Sequence, residues 1–226
     1  VEYFVGDDEF LYEKVNENAF GTSYKYSDGK TTIGKDSTTT QYFKLEPIIW
    51  EIMKDNDTVG NPVYLISVAE LVAYKFDDSN SVYSNSAVKT FLQATFKSNA
   101  FTSAQSTKIK PTNLNANWYS NASDAAKEKT EYEENANGYS VFLPSFGDMK
   151  SYGYTTNTER IKWPTDYAGA NYASRGSYAS NGGDWWSRSA CSSDNFVWFV
   201  DSYGSMYRGT PNISDHGVVP ALFLSI

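Results

Sequence analysis

The sequence predicts an α+β fold. Helix signals sit mostly in the first two-thirds of the chain, and strand signals return at its end. The two are segregated rather than alternating, which argues against repeated βαβ units and a parallel sheet. The last forty or so residues carry the densest strand pattern, an aromatic run with a Gly turn and an apolar close.

In chain order, residues 1–40 are polar and turn-rich, with an Asp-Gly signal at Asp28-Gly29, and read as short strands. Residues 41–53 alternate apolar and polar from Phe43, with Ile48, Ile49, Trp50 and Ile52 expected in the core. A turn at 54–62 and a returning strand at 62–67 make a hairpin of them. Ser67 with Glu70 three residues on has capping-box spacing and predicts a helix running through Leu71, Val72, Tyr74 and Phe76. A second helix is predicted over 86–97, where Val88, Phe91, Leu92, Thr95 and Phe96 share one face. Thr102 and Gln105 predict a short capped turn.

Residues 111–138 are polar, and the charge run inside them reads as a solvated helix or an insertion. A strand at 139–144, a helical turn at 145–152 and a Thr165-capped turn at 166–173 follow, then a Gly/Ser/Asn-rich loop at 174–183. Three strands close in around a hairpin turn at Asp201–Gly204, where Gly204 is placed for a positive φ. Residues 218–224 form the closing strand. No linker or repeat divides the chain, so 1–226 is read as one domain with 1–40 as its N-terminal part.

Composition narrows the function. The 226 residues carry a net charge of −8 with 16% aromatics. An acidic chain without a Lys/Arg cluster repels phosphate backbones, so nucleic acid is not an expected partner. No run of about 18 apolar residues is present to insert into a membrane. Cys191 is the only cysteine and His216 the only histidine. Cys191 reads as a small buried hydrophobe, and one Cys with one His is a thin inventory for nucleophilic catalysis or a zinc site. Calcium stays open: it takes oxygen ligands, which residues 55–57 and Ser193, Asp194 and Asn195 offer, but neither segment matches an EF-hand loop. No cofactor is expected.

Several segments recur in one order: TyrPheLysLeuGluProIleIleTrpGluIle at 42–52, ProValTyrLeuIleSer at 62–67, SerAsnSerAlaValLysThrPheLeu at 84–92, AsnAlaPhe at 99–101, ValPheLeuProSer at 141–145, ProThrAspTyrAla at 164–168, TrpTrpSerArgSer at 185–189 and GlyValValProAlaLeuPheLeu at 217–224. This series resembles a bacterial domain of unknown function common in gut and oral bacteria, with a WWLRSP…GVRPALWL-type C-terminal motif. The resemblance covers roughly 41–226. It implies a C-type lectin-like fold related to formylglycine-generating-enzyme-like domains, with mixed and antiparallel sheets and a few helices on one side. Ser187 and Ala190 stand where that pattern has Leu and Pro, and Val219 where it has Arg. Arg188 remains, with an internal partner expected. The two cysteines of the formylglycine-generating relatives have no counterpart here.

These observations point to a non-enzymatic recognition domain, extracellular or on the cell surface, whose ligand is a glycan or a surface protein. Tyr, Trp, Ser, Gly and Asn dominate the loops, the mixture that antibody paratopes use. The expected surface lies within 190–216 and comprises Asn195, Trp198, Asp201, Tyr203, Tyr207, Arg208 and Asn212. Strand alternation puts Trp198 either in the core or on display. It also puts Trp185 and Trp186 on opposite faces, with only one of them expected in the core. The alternatives are a structural module of a larger surface protein and an enzyme with Cys191 as nucleophile.

Overall fold

The computed structural model describes residues 3–54, 62–119, 129–133, 138–174, 182–191 and 195–225. The fold is α+β, with mostly antiparallel sheets and a few short helices.

Three N-terminal strands, β1 (Tyr3–Val5), β2 (Leu11–Asn16) and β3 (Thr40–Lys44), form an antiparallel meander. One face carries Glu13, Val15 and Phe43 and docks on the helix α6 (Asp166–Ala170). Val15, Ala19 and Ile33 pack on Ala170 there. Polar clamps surround this small core. Ser27 donates its N–H and its Oγ–H to the Asp166 carboxylate at 2.7 and 2.6 Å, and the Tyr167 hydroxyl donates to Glu13 at 2.8 Å. Buried Glu17 accepts from the Tyr26 hydroxyl and, at 2.7 Å, from the Gly34 N–H.

The main core lies among the strands that follow. A four-stranded antiparallel sheet has the order β10 (Val141–Phe142), β16 (Ala221–Leu224), β5 (Val63–Ser67), β4 (Trp50–Lys54). A larger sheet has the order β14 (Met206–Gly209), β13 (Val197–Val200), β12 (Trp185–Cys191), β15 (Gly217–Val218), β7 (Val72–Ala73). On that sheet β8 (Asn115–Tyr119) pairs with β12 and β9 (Lys129–Glu133) pairs with β8. A short parallel pair joins β6 (Ala69–Glu70) to β11 (Trp163–Pro164).

Two chain segments cross together from the smaller sheet to the larger. Residues 63–73 run through β5 and then β7, while 217–224 run antiparallel beside them through β15 and then β16. Pro220 sits at the crossing. It has no N–H for a ladder, and its carbonyl accepts the Ser67 N–H at 2.9 Å. The single closing strand expected at 218–224 is therefore split between two sheets.

Other expectations divide by the range of the forces that decide them. The locally coded helices are present. Ser86 caps α1 (Ala87–Phe91), which continues through a π-helical turn at Leu92–Phe96 into α2 (Lys97–Ala100). Thr102 and Gln105 form a capping box on α3 (Ser103–Ser106), as Ser145 and Asp148 do on α4 (Phe146–Ser151). Thr156 and Glu159 do the same on α5 (Asn157–Arg160), and Thr165 caps α6.

The helix expected from Ser67 is absent. Ser67 donates its hydroxyl to the Ala69 carbonyl instead of capping, and Val72, Tyr74 and Phe76 follow a two-residue period. The segment expected as one strand over 41–53 breaks at Leu45–Ile49 around Pro47, so β3 and β4 belong to different sheets. Ile49 and Ile52, expected in the core, are 68% and 63% exposed; Ile49 lies in the break before β4, and Ile52 lies on that edge strand. Within the charged stretch, Lys129–Glu133 is a strand and not a helix. The turn at 55–61 and most of the loop at 174–183 lie outside the described residues.

Arg188 has its internal partner. Buried in the core, it donates from Nη2 to Asp148 Oδ2 at 2.8 Å. The same carboxylate oxygen accepts the Ser145 N–H at the α4 cap. One acid thus joins a helix start to the central strand β12.

Candidate functional site

The hairpin β13–β14 carries most of the residues expected to bind. Val200 faces Met206, Phe199 faces Tyr207 and Trp198 faces Arg208 across it. Its turn is braced from within and from below. Asp201 Oδ1 accepts the N–H groups of Tyr203 and Ser205 at 3.0 and 2.7 Å. Gly204 has φ +77°, as expected, and a Cβ there would overlap the Asn157 carbonyl oxygen. Arg160 reaches up from α5 and donates Nε–H to the Gly204 carbonyl at 2.9 Å. Asn157 donates its amide to Ser205 Oγ at 2.9 Å.

On this braced turn two tyrosines are presented, Tyr203 at 56% and Tyr207 at 57% exposure. Tyr207 heads a row of rings running inward: its centroid is 6.4 Å from Phe199, Phe199 is 4.3 Å from His216, and His216 is 4.5 Å from Trp186.

The seven expected residues do not form one cluster. Trp198 takes the core option, at 6% exposure, and cannot serve as a platform. Arg208 is exposed but on the face opposite Tyr207, with its guanidinium 5.7 Å from the Phe196 ring. Asp201 is committed to the turn. Exposed Asn195 donates its amide to the Ser79 carbonyl, and Asn212 is exposed in the loop after β14. The expectation that only one of Trp185 and Trp186 is core is corrected. They do point to opposite faces, yet both are fully buried, because both faces of β12 are covered: Trp186 packs against Phe76, Phe199 and His216, and Trp185 lies under Arg160. Trp185 Nε1 donates to the Arg160 carbonyl at 3.1 Å and Trp186 Nε1 to the Tyr74 carbonyl at 2.9 Å.

Beneath the hairpin lies a group of ionisable side chains that sequence reasoning did not bring together. Asp184, just before β12, accepts the Ser202 N–H at 2.7 Å, and burial pushes its carboxyl up to about 6, with Asp201 and Asp215 adding repulsion. His216 is buried between Trp186 and Phe199, and neither ring nitrogen has a hydrogen-bond partner. Burial lowers its pKa to about 3, so the ring is neutral at ordinary pH. Asp215, whose Oδ1 is 3.8 Å from His216 Nδ1, is also raised by burial. Glu70 is buried against Gly183 and Gly217, where a Cβ on either glycine would strike its carboxylate. Its spacing from Ser67 imitated a helix cap, which hid this placement.

Beside this row is an open cleft of about 330 Å³ lined by Tyr74, Asp77, Asn85, Thr90 and Phe91, among others. The rings of Tyr74 and Phe91 stack at 4.6 Å. Cys191 is fully buried, with Arg208 Nη1 3.9 Å from its Sγ. Among the described residues no three His, Cys, Asp or Glu side chains are grouped to hold a metal ion. Of the oxygen-bearing segments considered for calcium, residues 55–57, Ser193 and Asp194 lie outside the described residues. Among the described residues no helix is long and apolar enough to cross a membrane.

No curated protein and no solved structure matches the chain. A protein family does: residues 50–226, from the first residue of β4 onward, match the domain of unknown function DUF6273, and the chain belongs to that family.

Proposed function

We propose that this chain is a non-enzymatic recognition domain with a C-type lectin-like fold, displayed outside the cell, that engages a glycan or a surface protein through the β13–β14 hairpin. The observation that carries the reading is Tyr203 and Tyr207, each more than half exposed on a turn fixed by Asp201, Gly204 and Arg160. A tyrosine offers a large amphipathic contact surface at low entropic cost, and a rigid support lowers the cost of binding further. The fold reading draws support from the two sheets joined by paired crossing segments and from the ordered sequence motifs. The non-enzymatic reading draws support from the only Cys and the only His, both buried and far apart in role: Cys191 lies under Arg208, and His216 is sandwiched between Trp186 and Phe199.

The test is a screen of Tyr203→Ala and Tyr207→Ala against glycans and bacterial surface proteins. Both variants should melt within a few degrees of the parent and bind more weakly, and Cys191→Ser should bind as the parent does. If a ligand is found and both tyrosine variants retain parental affinity, the site lies elsewhere. Loss of a measurable turnover in Cys191→Ser would overturn the non-enzymatic reading.

A further inference from the structure

The N-terminal meander precedes the family match and has two unlike faces. One packs on α6 through Glu13, Val15 and Phe43, while its outer residues Tyr3 and Leu11 are exposed. Alternation puts Phe4, Tyr12, Tyr42 and Lys44 on the other. There Phe4, Val5, Gly6, Tyr12 and Tyr42 line a cleft of about 250 Å³. Phe4 and Tyr42 meet edge to face at 5.3 Å, which sets one ring upright against the other. Gly6 keeps the cleft clear of side chain, since a Cβ there would come within 2.6 Å of the Tyr12 ring.

At the rim the Tyr12 hydroxyl donates to Asp8 Oδ2 at 3.0 Å, and Lys44 Nζ donates to the same oxygen at 3.2 Å. The Lys44 ammonium also lies 3.3 Å from the centroid of the Phe10 ring. Asp8 Oδ1 also accepts the Phe10 N–H at 3.3 Å, which leaves one of a carboxylate's roughly four acceptor sites, and the Lys44 ammonium keeps hydrogens beyond the one given to Asp8.

We infer that this cleft is a second binding site, for a neutral pyranose sugar. Three features select that chemistry. The aromatic walls suit the C–H face of a sugar ring. Asp8 and Lys44, side by side, offer the acceptor and the donor that adjacent hydroxyls need. Their charges cancel, so the rim does not favour an anionic ligand, and the chain's overall charge of −8 disfavours one further. The volume is just below the roughly 300–1,000 Å³ of drug-sized sites. It suits one ring of a glycan and not a helix or strand of a partner.

The site is independent of the hairpin, and the experiment separates the two. Methyl glycosides of glucose, galactose and mannose at millimolar concentration are probed by saturation-transfer NMR. Neutral galactomannan and β-glucan are tested by retardation in native gels. At least one glycoside should receive saturation, and Tyr42→Ala should weaken binding by about tenfold. Tyr203→Ala and Tyr207→Ala should leave it unchanged. Tyr42 is 52% exposed, so its removal should spare the fold. Tyr12→Phe, which deletes only the hydroxyl on Asp8, gives the decisive comparison if Tyr42→Ala misfolds, and should weaken binding several-fold. The inference is overturned if no glycoside receives saturation. It is equally overturned if the folded variants bind as the parent does.

Discussion

His216→Phe should change how stability depends on pH, and Asp184→Asn should change it in the opposite sense. His216 is neutral in the folded state, with its pKa lowered from 6.5 to about 3 by burial. A lowered folded pKa means that its stability contribution is whole above pH 6.5. It is lost progressively between 6.5 and 3, as the unfolded chain takes up a proton that the folded one refuses. Each pH unit in that window costs about 1.4 kcal/mol, so at pH 5 the loss is about 2 kcal/mol. Asp184 has the opposite sign. Its folded pKa is raised from 3.8 to about 6, so its contribution is whole below 3.8 and is lost as pH rises through 6. Between pH 4 and 6 the two slopes nearly cancel. Phenylalanine fits the aromatic slot between Trp186 and Phe199 and removes two unpartnered ring nitrogens. The assay is urea unfolding at pH 5.0 and 7.5. Relative to the parent, His216→Phe should gain about 2 kcal/mol on going from pH 7.5 to 5.0, while Asp184→Asn should lose stability over the same step. A His216→Phe variant with the parent's pH profile would show that the histidine titrates normally and is not sealed in that slot.

Two further outcomes concern stability. Trp185→Ala and Trp186→Ala should each cost roughly 3–5 kcal/mol in chemical denaturation, because both rings are fully buried and hydrogen-bonded through their indole N–H; a small loss at either would mean that face of β12 is open. Gly204→Ala should destabilise by more than about 2 kcal/mol, since φ +77° and the overlap with the Asn157 carbonyl act together; a melting temperature equal to the parent's would show that the turn relaxes freely.

What could be read in the sequence was what neighbouring residues decide. Thr102 and Thr165 announced their helices because a cap acts within three residues, and Val88, Phe91 and Leu92 announced theirs by a periodic face. Asp201–Gly204 announced its turn because only glycine takes that φ easily. Ser67 and Glu70 carried the same local signal and misled. The decision there belongs to β15 and β11, which lie far along the chain and supply the strand partners for residues 69–73. The strand β9 was hidden for the same reason, as a charged run whose strand partner among the described residues is β8. For the candidate site, alternation offered Trp198 either the core or the surface and could not choose between them. It could not say that both faces of β12 are covered, nor that Asp184, Asp215 and His216 gather beneath the turn, since that depends on how the loops around 174, 202 and 216 meet.

The paired crossing of residues 63–73 with 217–224 sets a schedule for the chain's making. Every residue of β5 is buried, and one of its two neighbours, β16, lies about 150 residues downstream. Long-range pairing of this kind is slow, because the ends must find each other before any contact rewards them. During synthesis β5 therefore emerges early and waits, apolar and open on one edge, until residues 217–224 arrive. A nascent chain halted anywhere before Gly217 should remain protease-sensitive throughout Val63–Ser67.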